Sequence, residues 1–139
     1  MPRSAESLVA DALTRVHTLS VQEAQAWMQS PDVLCLDIRE PAEWVAQGVI
    51  AGAHPVPRGV LEFAVDPASP WHRPALAPQG RRLLLYCGVG WRSALAADSL
   101  QRLELAPVAH LAGGFEAWRA AGGAVKPWSP PGSEPKGGP

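Results

Sequence analysis

The chain has no lysine ahead of Lys126: its basic residues are ten arginines and two lysines, the second being Lys136. Everything before that point therefore lacks a Schiff-base amine and a P-loop lysine. Cysteine is almost as scarce, at Cys35 and Cys87. With four histidines (His17, His54, His72, His110), the two sulfurs show no metal-ligand spacing, and no metal is expected. A Cys35–Cys87 disulfide is disfavoured, because both fall on predicted internal strands and the chain reads as cytoplasmic. No apolar run approaches the roughly 20 residues that span a bilayer. The segment Met1–Ser7 lacks the apolar stretch of a secretory signal and carries Glu6. A net charge of −1 gives no general attraction to nucleic acid or anionic lipid, so neither is expected as a partner.

What is present fits one domain: 139 residues, 47% hydrophobic and 18% charged. Val9, Leu13 and Val16 at i, i+4, i+7 predict an N-terminal amphipathic helix within Ser4–Val16. An extended piece, His17–Ser20, follows. Ser20 and Glu23 have capping-box spacing and predict a helix through Met28. Val33–Ile38 is a short apolar run, read as a strand buried on both faces. Pro41 suits the first turn of a helix that buries Trp44 and Val45 and ends at Gly48. A short strand is expected at Ala53–Pro57. Five prolines in residues 57–80 then leave room only for a brief helix at Gly59–Phe63. A strand at Leu83–Tyr86, a helix at Ser93–Leu103, a strand at Val108–Leu111 and a helix at Phe115–Ala120 complete the pattern. The divisions are residues 1–15 for the N-terminal helix, 16–125 for the domain, and 126–139 for a Pro/Gly-rich flexible tail outside the core. Apolar strands alternating with helices imply an α/β fold with a mainly parallel sheet covered on both faces. Ligands of such sheets bind beyond the carboxyl ends of the strands, where Cys87, Asp37, Arg39 and Gly113-Gly114 all fall.

Cys87 ends an apolar strand and is followed by Gly88-Val89-Gly90-Trp91-Arg92-Ser93 and then an Ala-rich helix. Thiolates are the reactive form of cysteine, and helix N-termini and nearby cations favour them. Gly88 and Gly90 let the loop turn its N–H groups inward as an anion-binding nest. Arg92 can return to the mouth of that nest and grip an oxyanion with its planar fork. A strand-end cysteine is ordinarily a small core residue; the glycines, the arginine, the serine and the helix start set Cys87 apart. Cys35, between Leu34 and Leu36, has none of these and reads as core.

Five motifs in order carry a resemblance over residues 16–125: Leu36-Asp37-Ile38-Arg39-Glu40-Pro41-Ala42-Glu43-Trp44, Gly48-Val49-Ile50-Ala51-Gly52-Ala53, Pro57-Arg58-Gly59-Val60-Leu61-Glu62, the Cys87–Ser93 loop, and Ala112-Gly113-Gly114-Phe115-Glu116-Ala117-Trp118. In these the chain resembles the rhodanese-like domain family in its single-domain form. The resemblance implies a three-layer sandwich, with a five-stranded mainly parallel sheet between helices. It implies transfer of sulfane sulfur from a donor such as thiosulfate, through a cysteine persulfide, to an acceptor such as cyanide, a small thiol or a protein thiol. Cys87 would be the nucleophile and Arg92 would close the loop. The N–H groups of Gly88, Val89, Gly90, Trp91 and Ser93 would hold substrate or the persulfide anion. Asp37 and Arg39, matching the family's Asp-x-Arg element, would buttress the loop, with Arg58 also supporting. No cofactor is implied.

Two departures from the family pattern concern the donor. Gly88 stands where efficient thiosulfate users often carry a basic residue, which favours an uncharged persulfide donor. Trp91 is bulky for its position, and packing against the segment around Trp71-His72 is the expectation. His72 reads as a surface histidine. Two other classes share features of the loop. Phosphatases and arsenate reductases of the Cys-x5-Arg type place five residues between cysteine and arginine; here four intervene. A non-catalytic binding module would keep the fold and use its rim or tail. Thiol redox sensing lacks a nearby resolving cysteine.

Overall fold

The computed structural model describes residues 2–131. Its elements are α1 (Ala5–Leu13), β1 (His17–Leu19), α2 (Val21–Met28), β2 (Val33–Asp37), α3 (Pro41–Gln47), β3 (Val49–Ile50) and β4 (His54–Pro55). These are followed by α4 (Leu61–Val65), β5 (Arg82–Tyr86), α5 (Trp91–Gln101), β6 (Val108–Leu111), α6 (Gly114–Ala120) and β7 (Val125–Lys126). Five strands form one sheet in the order β1-β6-β5-β2-β4, every pair parallel. The expected α/β architecture with a five-stranded parallel sheet is therefore observed.

The central strands are apolar at successive positions because alternate side chains feed two separate cores. Leu34, Leu36, Leu83, Leu85 and Cys87 enter the core under α4 and α5, with Leu61, Ala96, Ala97 and Leu100. Cys35, Leu84, Tyr86, Ala109 and Leu111 enter the other, with Ala24, Phe115 and Trp118 from α2 and α6. The two cysteines are both free and lie in different cores, on opposite faces of the sheet.

Local signals were realised with small shifts. The Ser20–Glu23 capping box forms as expected, with N–H bonds of 2.9 and 3.1 Å. Helix α1 lies against α5 of its own domain and is tied there by the Arg15–Asp98 ion pair at 2.7 Å. It buries Val9 and Ala12, whereas Leu13 is exposed. In α3, Trp44 is buried but Val45 faces solvent. The strand expected at Ala53–Pro57 is only His54–Pro55, and the brief helix after it starts as a 3-10 turn at Arg58–Val60 and runs on as α4.

Just past the expected boundary at residue 126 the chain still touches the domain. Val125 and Lys126 pair antiparallel with Ile50 and Val49, and Trp128 meets Trp44 edge-on at 5.0 Å. Prolines and glycines discourage regular structure, yet one unpaired strand edge and one indole suffice to dock a short segment. The remainder of the expected tail, 132–139, lies outside the described residues. Among the described residues, no helix is long and apolar enough to cross a membrane.

Candidate active site

Cys87 follows the last residue of β5, and its side chain has no exposed surface. The sulfur accepts the N–H of Gly90 at 3.1 Å and that of Ser93 at 3.3 Å. Both belong to the N-terminus of α5, whose N-cap is Gly90 in the left-handed region at φ 105°. Helix N-termini carry unpaired N–H groups and a positive partial charge, so this arrangement favours an anionic sulfur. Ser93 Oγ stands 3.5 Å from the same sulfur.

The carbonyls of the loop face away from the sulfur because another helix receives them. Phe115 N–H donates to the Cys87 carbonyl at 2.8 Å and Glu116 N–H to that of Gly88 at 3.1 Å. The N-terminus of α6 thus holds the outer side of the loop, and it must approach closely. A Cβ on Gly114 would overlap the Cys87 carbonyl oxygen, and Gly114 has φ 59°. That is the physical reason for the Gly113-Gly114 pair in this place.

Arg92 lies over the mouth. Its guanidinium is bonded to both carboxylate oxygens of Glu43, at 2.7 and 3.0 Å. This fork holds the Glu43 carboxyl below the usual carboxylate range, and the same pairing raises Arg92. Glu43 also accepts the Glu40 N–H at the start of α3. One carboxylate therefore caps a helix and holds the loop arginine.

Beneath lies a buried ionic platform. Asp37 and Arg39, neither with exposed side-chain surface, pair at 2.7 Å. Asp37 also accepts from Trp44 Nε1 at 3.0 Å and the Tyr86 hydroxyl at 2.5 Å. Arg39 donates to the Gly48 carbonyl and to Gln47, with its guanidinium 4.1 Å from the Phe115 ring centre. The network joins the ends of β2 and β5 to α3 and α6. Burial, and next the Asp37 charge, push the Tyr86 phenol up, so it stays a neutral donor.

The loop brings Cys87, Gly88, Gly90, Arg92 and Ser93 together. Val89 and Trp91 contribute backbone there while their side chains are half exposed. Trp91 is about half exposed, and Trp71 meets Phe63 edge-on at 6.0 Å. The helix also begins two residues earlier than expected, at Trp91. Arg58 pairs with Glu62, which accepts from Ser99 on α5, so it braces α4 against α5. His72 bonds the Ala64 carbonyl, away from the loop. Sequence reasoning missed Glu43 as the partner of Arg92, Tyr86 and Trp44 on Asp37, and His110 behind Ser93. Only His110 left a local signal, as a polar residue inside the apolar strand Val108–Leu111 that needs a buried partner.

A family profile described as "Rhodanese-like domain" matches residues 20–121. The chain belongs to the rhodanese-like domain family. Among its relatives is a "Sulfurtransferase" of Allochromatium vinosum, 33% identical over 99 residues, or 71% of this chain and 83% of that protein. A "Probable adenylyltransferase/sulfurtransferase MoeZ" of Mycobacterium tuberculosis is 32% identical over 102 residues, 73% of this chain. This chain spans only 24% of that protein's length. Among solved structures, a Rhodopseudomonas palustris protein described as of unknown function and a possible tyrosine phosphatase is 40% identical. It superposes with a TM-score of 0.84, covering 91% of this chain and 96% of that one. Both the Allochromatium and the Mycobacterium relatives carry sulfurtransferase in their names.

Proposed function

We propose that this chain moves sulfane sulfur from a small donor, through a persulfide on Cys87, to a thiophilic acceptor: cyanide, a small thiol or a protein thiol. The observation that carries this reading is the enclosed Cys87 sulfur accepting two helix-terminal N–H groups. In the first step the thiolate attacks the outer sulfur of the donor. A Cys87 S–S bond forms, the donor's S–S bond breaks, and its electron pair leaves with sulfite or a thiolate. In the second step the acceptor attacks the outer persulfide sulfur, and Cys87 leaves as thiolate with the bonding pair. The N–H groups stabilise the sulfur anion in both steps with no reorganisation, the main electrostatic contribution.

Donor preference follows from the mouth. Arg92 is the loop's cation, and Glu43 offsets its charge through both oxygens. With Gly88 uncharged, the mouth has little net attraction for dianionic thiosulfate. A low-molecular-weight persulfide is the better donor.

The name carried by the Rhodopseudomonas relative raises hydrolysis of phosphotyrosine as a second reading. Four residues between Cys87 and Arg92 make a smaller loop than the five of Cys-x5-Arg phosphatases, and Arg92 is engaged by a carboxylate that would repel phosphate. Turnover assays discriminate these readings, including the non-catalytic module. Thiocyanate formation from cyanide and a sulfane donor, lost in Cys87→Ser, supports transfer. Aryl phosphate hydrolysis without thiocyanate formation supports the phosphatase. Neither activity supports a binding module.

A further inference from the structure

His110 is a buried polar side chain that sulfur transfer as described leaves unused. It stands in β6 with 2% of its surface exposed. Both ring nitrogens are bonded: Nδ1 lies 2.9 Å from Ser93 Oγ, and Nε2 lies 2.9 Å from Thr18 Oγ1. Ser93 Oγ is in turn 3.5 Å from Cys87 Sγ. Thr18 is the register partner of His110 across β1 and β6 and is exposed. A continuous line of hydrogen bonds thus runs from the enclosed sulfur to the protein surface, built from three separate elements.

We propose that His110 is a positioning residue for Cys87: it aims the Ser93 hydroxyl at the sulfur and, with Thr18, conducts the thiol proton to solvent. The proton count balances. In the thiol state the hydrogens point outward, from Sγ to Ser93 Oγ, from Ser93 Oγ to Nδ1, from Nε2 to Thr18 Oγ1, and from Thr18 to water. Moving each hydrogen one link outward delivers one proton to water. In the resulting thiolate state Thr18 donates to Nε2, Nδ1–H donates to Ser93, and the Ser93 hydroxyl donates to sulfur. The ring is neutral before and after, and only the sulfur has changed charge.

The surroundings suit a neutral ring. Burial depresses His110 to about 4. The charged groups on the elements packed against β6 are engaged elsewhere. On β5, Arg82 pairs with Asp32. On α5, Asp98 pairs with Arg15 and Arg102, and Arg92 pairs with Glu43. On β1, His17 stacks edge-on against Trp27.

This rests on Cys87 being the nucleophile of the reading above, but its test does not require sulfur transfer, so the two can fail separately. The measurement is the rate of Cys87 alkylation by iodoacetamide across pH on the full chain, with Cys35 counted apart by peptide mass spectrometry. His110→Leu should slow alkylation about tenfold at neutral pH and move the profile's midpoint upward, because a hydrogen bond to the charged form is lost. His110→Asn places an amide N–H where Nδ1–H stood and should recover most of the rate. His110→Gln, whose amide reaches the Nε2 position, should not. The Asn and Gln pair decides the matter if the leucine variant does not fold. Equal rates in the Asn and Gln variants, or a loss that is uniform across pH, would overturn the proposal.

Discussion

Glu43 grips Arg92 through both carboxylate oxygens, at 2.7 and 3.0 Å, across 49 residues of sequence. The arginine that would meet an incoming oxyanion is therefore already half-neutralised. Glu43→Gln keeps an acceptor for the Glu40 N–H but removes the charge. The kcat/KM for thiosulfate should rise roughly three- to tenfold at low salt, with a smaller change for a neutral persulfide donor. Stability should change by less than about 1 kcal/mol, because the pair is partly exposed. Equal changes for both donors would contradict the charge argument.

Asp37 and Arg39 form the opposite kind of pair, fully buried and bonded on every side. Asp37→Asn leaves the guanidinium without its counter-charge. Breaking a buried pair costs about 3–5 kcal/mol. Urea unfolding should show a loss of that order. A loss under about 1 kcal/mol would show that the platform is dispensable.

His110 also makes a pH prediction. Its folded value near 4 lies below the ordinary 6.5, so the unfolded chain binds the extra proton between those limits. Its contribution is fully present above about pH 6.5 and is lost as pH falls toward 4. At 1.36 kcal/mol per unit, the loss is of order 3 kcal/mol. Wild-type stability should therefore fall more steeply than that of His110→Asn over this window, by equilibrium unfolding at each pH. Parallel curves would contradict a neutral buried ring.

Trp128 and β7 fasten the segment after α6 to the rest of the chain. Trp128→Ala removes one edge-on aromatic contact and part of an apolar surface over Trp44. A destabilisation of about 1–2 kcal/mol is expected by thermal unfolding. An unchanged melting temperature would mean that the contact adds nothing.

The strand, loop and helix around Cys87 were readable in the chain because each depends on neighbours: apolar residues to Tyr86, glycines at the turn, and alanines in α5. The Ser20–Glu23 cap was readable for the same reason. Glu43 was not, since its partner lies 49 positions away and its local spacing equally describes a helix cap. The docking of residues 125–128 was hidden by composition, because proline and glycine report on regular structure and not on where a single indole packs. Periodicity alone fits Val45 and Leu13 to buried faces, but a one-residue rotation of each helix turns them outward.

The central claim is a persulfide carried on Cys87. Peptide-mapped mass spectrometry after brief treatment with thiosulfate or a small persulfide, followed by addition of cyanide, tests it directly. The account predicts a gain of one sulfur on the Cys87 peptide, none on the Cys35 peptide, loss of the gain on cyanide addition, and no gain in Cys87→Ser. Absence of any added sulfur on Cys87 with both donors would contradict it.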